Sequence, residues 1–170
     1  MRRFCALILF AAMALAIPPL PRKSPEFTIV EPGGKQTLLS SYKGKVVVLG
    51  FFSTSCVHCQ NTAKVFSTLQ QDLGAQGFQA AGVAINPDVN EEKVREFSRS
   101  FARNFPVGLS KADNAISYLG ISFVERWVYP QVVLIDRKGM IRAQSEAKGS
   151  PELQDAASLR NQIEALLKER

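Results

Sequence analysis

The chain has 170 residues, 46% of them hydrophobic and 21% charged, a balance that belongs to a globular protein and excludes a disordered, collagen-like or polytopic membrane chain. That length fills one core without room for a second domain of ordinary size, and three cysteines are too few for a disulfide-stapled miniature. The formal charge is +6, but Arg2 and Arg3 fall in the leading segment and the other basic residues are scattered among 15 acids with no run of five, so no nucleic acid is expected as a partner.

In chain order, Met1-Arg2-Arg3 is a short positive start, followed by the apolar run Phe4 to Ile17 and then Pro18, Pro19 and Pro21. This is signal-peptide architecture, with Ala12-Met13-Ala14 or Ala14-Leu15-Ala16 as the cleavage signal. The run is short of the about 20 residues a spanning helix needs; an uncleaved N-terminal membrane anchor is the alternative. Residues 1–16 are therefore expected to be a signal peptide or anchor, 17–25 a linker with Arg22 to Pro25 as its polar end, and 26–170 the folded, exported domain, in a periplasmic or other extracytoplasmic space. Cys5 opens the apolar run instead of closing it behind small residues, so it does not read as a lipid-attachment cysteine.

Phe27 to Val30 and Thr37 to Ser40 are short strand candidates around Pro32-Gly33-Gly34, and Lys45 to Phe52 is a nearly continuous apolar run of the kind buried on both faces of a sheet. Val57, Ala63, Phe66, Leu69 and Leu73 are spaced for a helix stopped by Gly74 and Gly77. Phe78 to Ile85 is the next strand, Glu91 to Phe101 a helix, Phe105 to Leu109 a strand, and Asp113 to Leu119 a short helix ended by Gly120. Gln131 to Asp136 and Met140 to Ser145 read as a buried strand and an edge strand joined by the turn Arg137-Lys138-Gly139. Ser150, Pro151 and Glu152 signal the cap and first turn of a last helix, whose stripe is Leu153, Ala156, Leu159, Ile163 and Leu166. The pattern implies an α/β sandwich around a mixed β-sheet.

Chemistry concentrates at Cys56-Val57-His58-Cys59, directly after the buried apolar strand. At a helix N-terminus the unpaired amides and the macrodipole favour negative charge, which suits a thiolate at Cys56. A second thiol one turn on can then resolve the mixed disulfide that Cys56 forms. The same spacing also serves zinc, haem and structural bridges. Zinc wants four ligands and only His58 and Cys5 are left to supply them; haem attachment needs His where Gln60 stands; a bridge over so small a loop adds little stability. No metal and no cofactor are expected. His58, the single histidine, reads either as an exposed loop residue or as a cation that lowers the Cys56 thiol and pushes the pair toward being an oxidant.

The segment Lys43-Gly44-Lys45-Val46-Val47-Val48-Leu49-Gly50-Phe51-Phe52-Ser53-Thr54-Ser55-Cys56-Val57-His58-Cys59 resembles the active-site strand and helix start of thioredoxin-like proteins. Phe105-Pro106-Val107-Gly108-Leu109, Tyr118-Leu119-Gly120-Ile121 and Pro130-Gln131-Val132-Val133-Leu134-Ile135-Asp136-Arg137-Lys138-Gly139 follow the order and spacing of the exported TlpA/ResA-type thiol-disulfide oxidoreductases, which are related to the AhpC/TSA and Redoxin group. The resemblance covers about residues 26 to 168. It implies a thioredoxin-like three-layer sandwich with a central mixed β-sheet, a cis-proline at Pro130 facing the dithiol, and a substrate chain bound along Tyr129. It also implies that Cys56 and Cys59 form the redox-active disulfide. From the residues alone, Pro130 is a strand-start proline.

Four positions depart from that pattern. Ser55 replaces the usual Trp before the first cysteine, Thr62 stands where a Glu often follows the second, Gly50 occupies a position that is acidic in thioredoxin, and Val57-His58 replaces a Pro-containing dipeptide in the manner of DsbA-type oxidases. Neither Thr62 nor Gly50 can serve as a buried base. The expected function is reduction of disulfides in client proteins, of the cytochrome c maturation type, with electrons from a membrane thiol-disulfide carrier. The alternatives are a DsbA-like disulfide donor and a peroxiredoxin-like peroxidase, although the latter needs a proline where Leu49 stands and has only Ser53 as its hydroxyl. A copper-delivery module on this fold would need a histidine outside the loop. Phe51 and Phe52 read as core residues, and Trp127 as a replacement for apolar surface missing at Ser55.

Overall fold

The structure, a computed structural model, describes residues 18–169; the leading segment expected to be a signal peptide or anchor, Cys5 included, lies outside the described residues. Among those described, no helix is long and apolar enough to cross a membrane.

The apolar run forms β4 (Val46–Phe52), buried at every position. It lies between β5 (Phe78–Ala84), which runs parallel to it, and β7 (Gln131–Ile135), which runs antiparallel. Parallel neighbours need crossovers, which α1 (Val57–Leu73) provides between β4 and β5, and α2 (Glu91–Phe101) between β5 and β6 (Val107–Leu109). The hairpin of β2 (Thr28–Val30) and β3 (Gln36–Leu38) closes one edge against β6, while β8 (Met140–Gln144) and β1 (Arg22–Lys23) close the other. The sheet order is β1-β8-β7-β4-β5-β6-β2-β3.

Successive side chains of a strand point to opposite faces, and β4 divides accordingly. Val46, Val48 and Phe52 pack under α1, α2 and α4 (Ala156–Lys168), against Phe66, Phe97 and Ile163. Val47, Leu49 and Phe51 face the other way, onto Phe27, Ile29 and α3 (Ala112–Leu119). This is the expected three-layer sandwich around a mixed sheet, with Phe51 and Phe52 both fully buried.

The helix Glu91–Phe101 is found as read, its start fixed by the Asn90 side chain, which accepts the Lys93 N–H at 3.0 Å. α1 ends at Leu73 as read, with Gly74 as its C-cap; Gly74 keeps right-handed helical geometry, and a 3-10 turn, Gly74–Gln76, leads on to Gly77, whose φ of +95° is left-handed. Four expectations are corrected. Ser150 does not cap the last helix. Its Oγ accepts the Glu146 N–H at 3.1 Å, so Pro151–Leu153 make only a 3-10 turn and α4 starts behind Asp155, whose carboxylate accepts the Ser158 N–H at 2.8 Å. Arg22 and Lys23, expected in a linker, pair with Ile141 and Met140, so β8 is not an edge along its whole length. Ser40 and Phe105 fall outside their strands, Ser40 in the turn Leu39–Tyr42 and Phe105 packed against Phe66.

Candidate active site

The last residues of β4 deliver the chain to the top of the sheet, and Cys56 is the N-cap of α1, with Val57 and His58 exposed in its first turn. The approach loop is tied on both sides. Cys56 N–H donates to the Ser53 carbonyl at 3.2 Å, Thr54 N–H donates to Asn86 Oδ1 at 3.1 Å, and the Gln60 side-chain amide donates to the Thr54 carbonyl at 3.2 Å. Asn86 is buried directly after β5; its Nδ2 donates to Asp88, whose carboxyl is lowered to about 2 by its bond to Lys93 first and by Asn86 second. The dipeptide Asn86-Pro87 reads only as a turn in the sequence, which is why a role in holding the Cys56 loop went unread.

The two thiols differ sharply in environment. Cys56 is half-buried, whereas Cys59, one turn along α1, is fully buried. Burial pushes the Cys59 thiol well above the usual range; the Ser53 N–H, donated to its Sγ at 3.3 Å, partly opposes this, and the neighbouring Cys56 adds to the rise. Among the described residues, no carboxylate belongs to the groups acting on it. The reason at position 50 is steric: a Cβ on Gly50 would lie 2.3 Å from Cζ of Phe52, whose ring also covers Gly82 on the adjacent strand.

Tyr129 and Pro130, joined by a cis peptide bond, come just before β7, the strand paired with β4. Tyr129 is half-buried, and its hydroxyl is raised by burial first and then by proximity to the sulfurs of Cys59 and Cys56. Among the described residues, neither its N–H nor its carbonyl makes a backbone hydrogen bond. Trp127 packs edge-on against Tyr129 with centroids 4.9 Å apart. An open groove of about 610 Å³ runs between His58 and Val65 of α1, Tyr129, and the loop carrying Lys148 and Gly149. The fold thus sets Tyr129 beside Cys56 and Cys59, close enough for the sulfurs to act on its hydroxyl, and Pro130 follows it in the chain. His58 lines the groove, but among the described residues no hydrogen bond joins its ring to either sulfur. No group of His, Cys, Asp and Glu able to hold a metal ion occurs among the described residues.

A half-exposed and a buried thiol one helical turn apart can exchange between dithiol and disulfide, and the backbone of Tyr129 beside them is unengaged among the described residues. A family model for AhpC/TSA matches residues 21–144. The chain belongs to the AhpC/TSA family. Within that setting, the thiol-disulfide oxidoreductase ResA of Geobacillus thermodenitrificans (strain NG80-2) is 27% identical over 120 residues, which are 70% of this chain and 64% of that protein. The thioredoxin-like protein YneN of Bacillus subtilis (strain 168) is 27% identical over 124 residues, 71% of this chain and 68% of that one. This AhpC/TSA chain therefore matches a little under two thirds of the length of ResA. A solved structure from Chlorobium tepidum, put forward as the thiol:disulfide interchange protein DsbE, is 26% identical with a TM-score of 0.70, covering 86% of this chain and 96% of its own. Another from Bacteroides thetaiotaomicron, put forward as a protein disulfide isomerase, is 32% identical with a TM-score of 0.69, covering 89% and 91%. The fold is thioredoxin-like.

Proposed function

We propose that this chain is a thiol-disulfide oxidoreductase that reduces disulfides in client proteins outside the cytoplasm. The observation that supports this most directly is the pairing of a half-exposed Cys56 at a helix N-cap with a fully buried Cys59, both beside Tyr129 and its cis bond to Pro130. Cys56, as thiolate, attacks one sulfur of the client disulfide. The other client sulfur leaves as a thiolate and takes a proton from water, and the client remains bound to Cys56 through a mixed disulfide. Cys59 then gives its proton to solvent and attacks the Cys56 sulfur, which breaks the Cys56–client bond and releases the second client sulfur as a thiolate that takes a proton from water. Two electrons have passed to the client, and the chain holds a Cys56–Cys59 disulfide. A membrane thiol-disulfide carrier would supply the electrons that restore the dithiol, and the leading segment 1–16 is read as the export signal or anchor. Clients of the cytochrome c maturation type belong to this reading.

The direction of transfer follows from how strongly the reduced form is stabilised. The His58 ring is exposed and unbonded to either sulfur among the described residues, so its influence on them passes through screening solvent. We assign it a weak tuning role. In glutathione buffers the Cys56/Cys59 pair is expected to equilibrate nearer to about −270 mV, as in thioredoxin, than to about −120 mV, as in DsbA. His58→Ala should shift that potential to more negative values by no more than about 30 mV. A potential near that of DsbA would overturn the reductase direction and make the chain a disulfide donor. Cys56→Ser should abolish insulin reduction, whereas Cys59→Ser should accumulate covalent client complexes on non-reducing gels; normal turnover by Cys59→Ser would refute the dithiol mechanism.

A further inference from the structure

Taking the dithiol reading as given, the question is what holds the Tyr129–Pro130 ledge in place. Gln131 follows Pro130 directly and is fully buried. Its side-chain amide donates to the carbonyls of Val128 at 2.8 Å, Glu146 at 3.2 Å and Ala147 at 3.5 Å. These carbonyls belong to two separate segments: the residues just before the Tyr129–Pro130 ledge, and the loop after β8 that carries Lys148 and Gly149 of the groove. The same segments are joined by Val128 N–H donating to the Ala147 carbonyl at 2.9 Å, and the loop is braced from behind where Ser150 Oγ accepts the Glu146 N–H. The amide orientation is set by its neighbours, because a flipped Gln131 would point its oxygen at three carbonyl oxygens.

The other half of the amide is odd. Gln131 Oε1 is buried and has no hydrogen-bond partner among the described residues. A buried acceptor left unpaired costs stability, so what the amide contributes lies in its donor half, the donor found for the Val128 carbonyl among the described residues.

We infer that Gln131 is a positioning residue that clamps the Tyr129–Pro130 ledge to the Ala147–Gly149 wall and so fixes the width of the groove that receives the client chain. It touches neither sulfur in any hydrogen bond of the described residues, so it acts on binding of an extended protein client and leaves the sulfur chemistry alone.

The test is Gln131→Met, which keeps length and volume and removes the amide. With insulin as client, KM should rise about tenfold while kcat stays within about twofold. The rate with the small disulfide 5,5′-dithiobis(2-nitrobenzoate) and the Cys56/Cys59 potential should not change. An unchanged insulin KM overturns the proposal, as does an equal loss on both substrates, which marks general damage. Ser150→Ala loosens the same wall from behind and should raise the insulin KM about threefold; it carries the test if the Met variant does not fold. The clamp is also read without any turnover, by hydrogen exchange at the Val128 amide, which should be about tenfold faster in the Met variant. Equal exchange overturns the clamp even in an active protein, whereas a wild-type chain inactive on both substrates would refute the dithiol reading.

Discussion

Cys59 must lose a proton before it can resolve a mixed disulfide, and its burial opposes that loss. Where a buried carboxylate would help, position 50 is a glycine roofed by the Phe52 ring and position 62 is a buried threonine. The resolving step should therefore follow the small thiolate fraction of Cys59, and its rate should climb about tenfold per pH unit between about pH 7 and 9. Rapid-quench release of a peptide bound to Cys56 measures this, and a flat profile would point to a base that the sulfur's surroundings do not show. The same shift is a statement about stability. A thiol raised on folding stabilises the reduced fold below its unfolded value of about 8.5 and ceases to do so as pH rises through the folded one. The melting temperature of the reduced protein should accordingly fall above about pH 8.5, and Cys59→Ala should flatten that fall. Iodoacetamide at neutral pH should label Cys56 and spare Cys59, since only the former reaches solvent. All this lives on burial, a property that no residue has by itself.

At the scale of elements, β6 and β2 approach each other closely at Gly108. A Cβ on Gly108 would sit 2.7 Å from the Val30 carbonyl oxygen and 2.8 Å from Cγ2 of Ile29, so the N-terminal hairpin can pack only against a residue with no side chain. Gly108→Ala should cost roughly 1 to 3 kcal/mol, since a backbone neighbour cannot move aside as a side-chain tip can. That amounts to a fall of about 2 to 10 °C in Tm, accompanied by faster protease cleavage within Thr28–Leu38. Where element boundaries were legible, the signal was local: Asn90 with Glu91 and Glu92 at the start of α2, or the unbroken apolar run of β4. The start of α4 misled because Ser150-Pro151-Glu152 is a sound local cap signal whose hydroxyl is spent on Glu146, in a loop brought there by the sheet.

Across the whole molecule, the segment Pro18–Pro25 belongs to the fold. Arg22 donates to the Tyr118 carbonyl at 3.0 Å and to Gln144 Oε1 at 2.7 Å, tying β1 to α3 and β8, and Ser24 Oγ bonds the Tyr118 hydroxyl at 2.8 Å. A chain beginning at Glu26 should be less stable than one beginning at Pro18 by roughly 1.5 to 3 kcal/mol, the range for hydrogen bonds to a charged group, or about 3 to 12 °C in Tm. Equal melting temperatures would mean that these contacts are held too loosely to matter. Two residues of pairing carry no periodicity, so β1 left no trace in the pattern of hydrophobic residues.

The α/β class and the spacing on which the proposed dithiol chemistry rests were legible in the sequence, because both depend on short spacings: apolar positions at periods of 2 and 3.6 residues, and two cysteines one helical turn apart after a buried strand. Which sulfur is buried, how Tyr129 comes to lie beside it, and how Gln131 and Asn86 hold the two loops were decided only by the tertiary structure. Those relations join residues far apart along the chain, and the burial and hydrogen bonds that define them exist only once the sheet has assembled around β4.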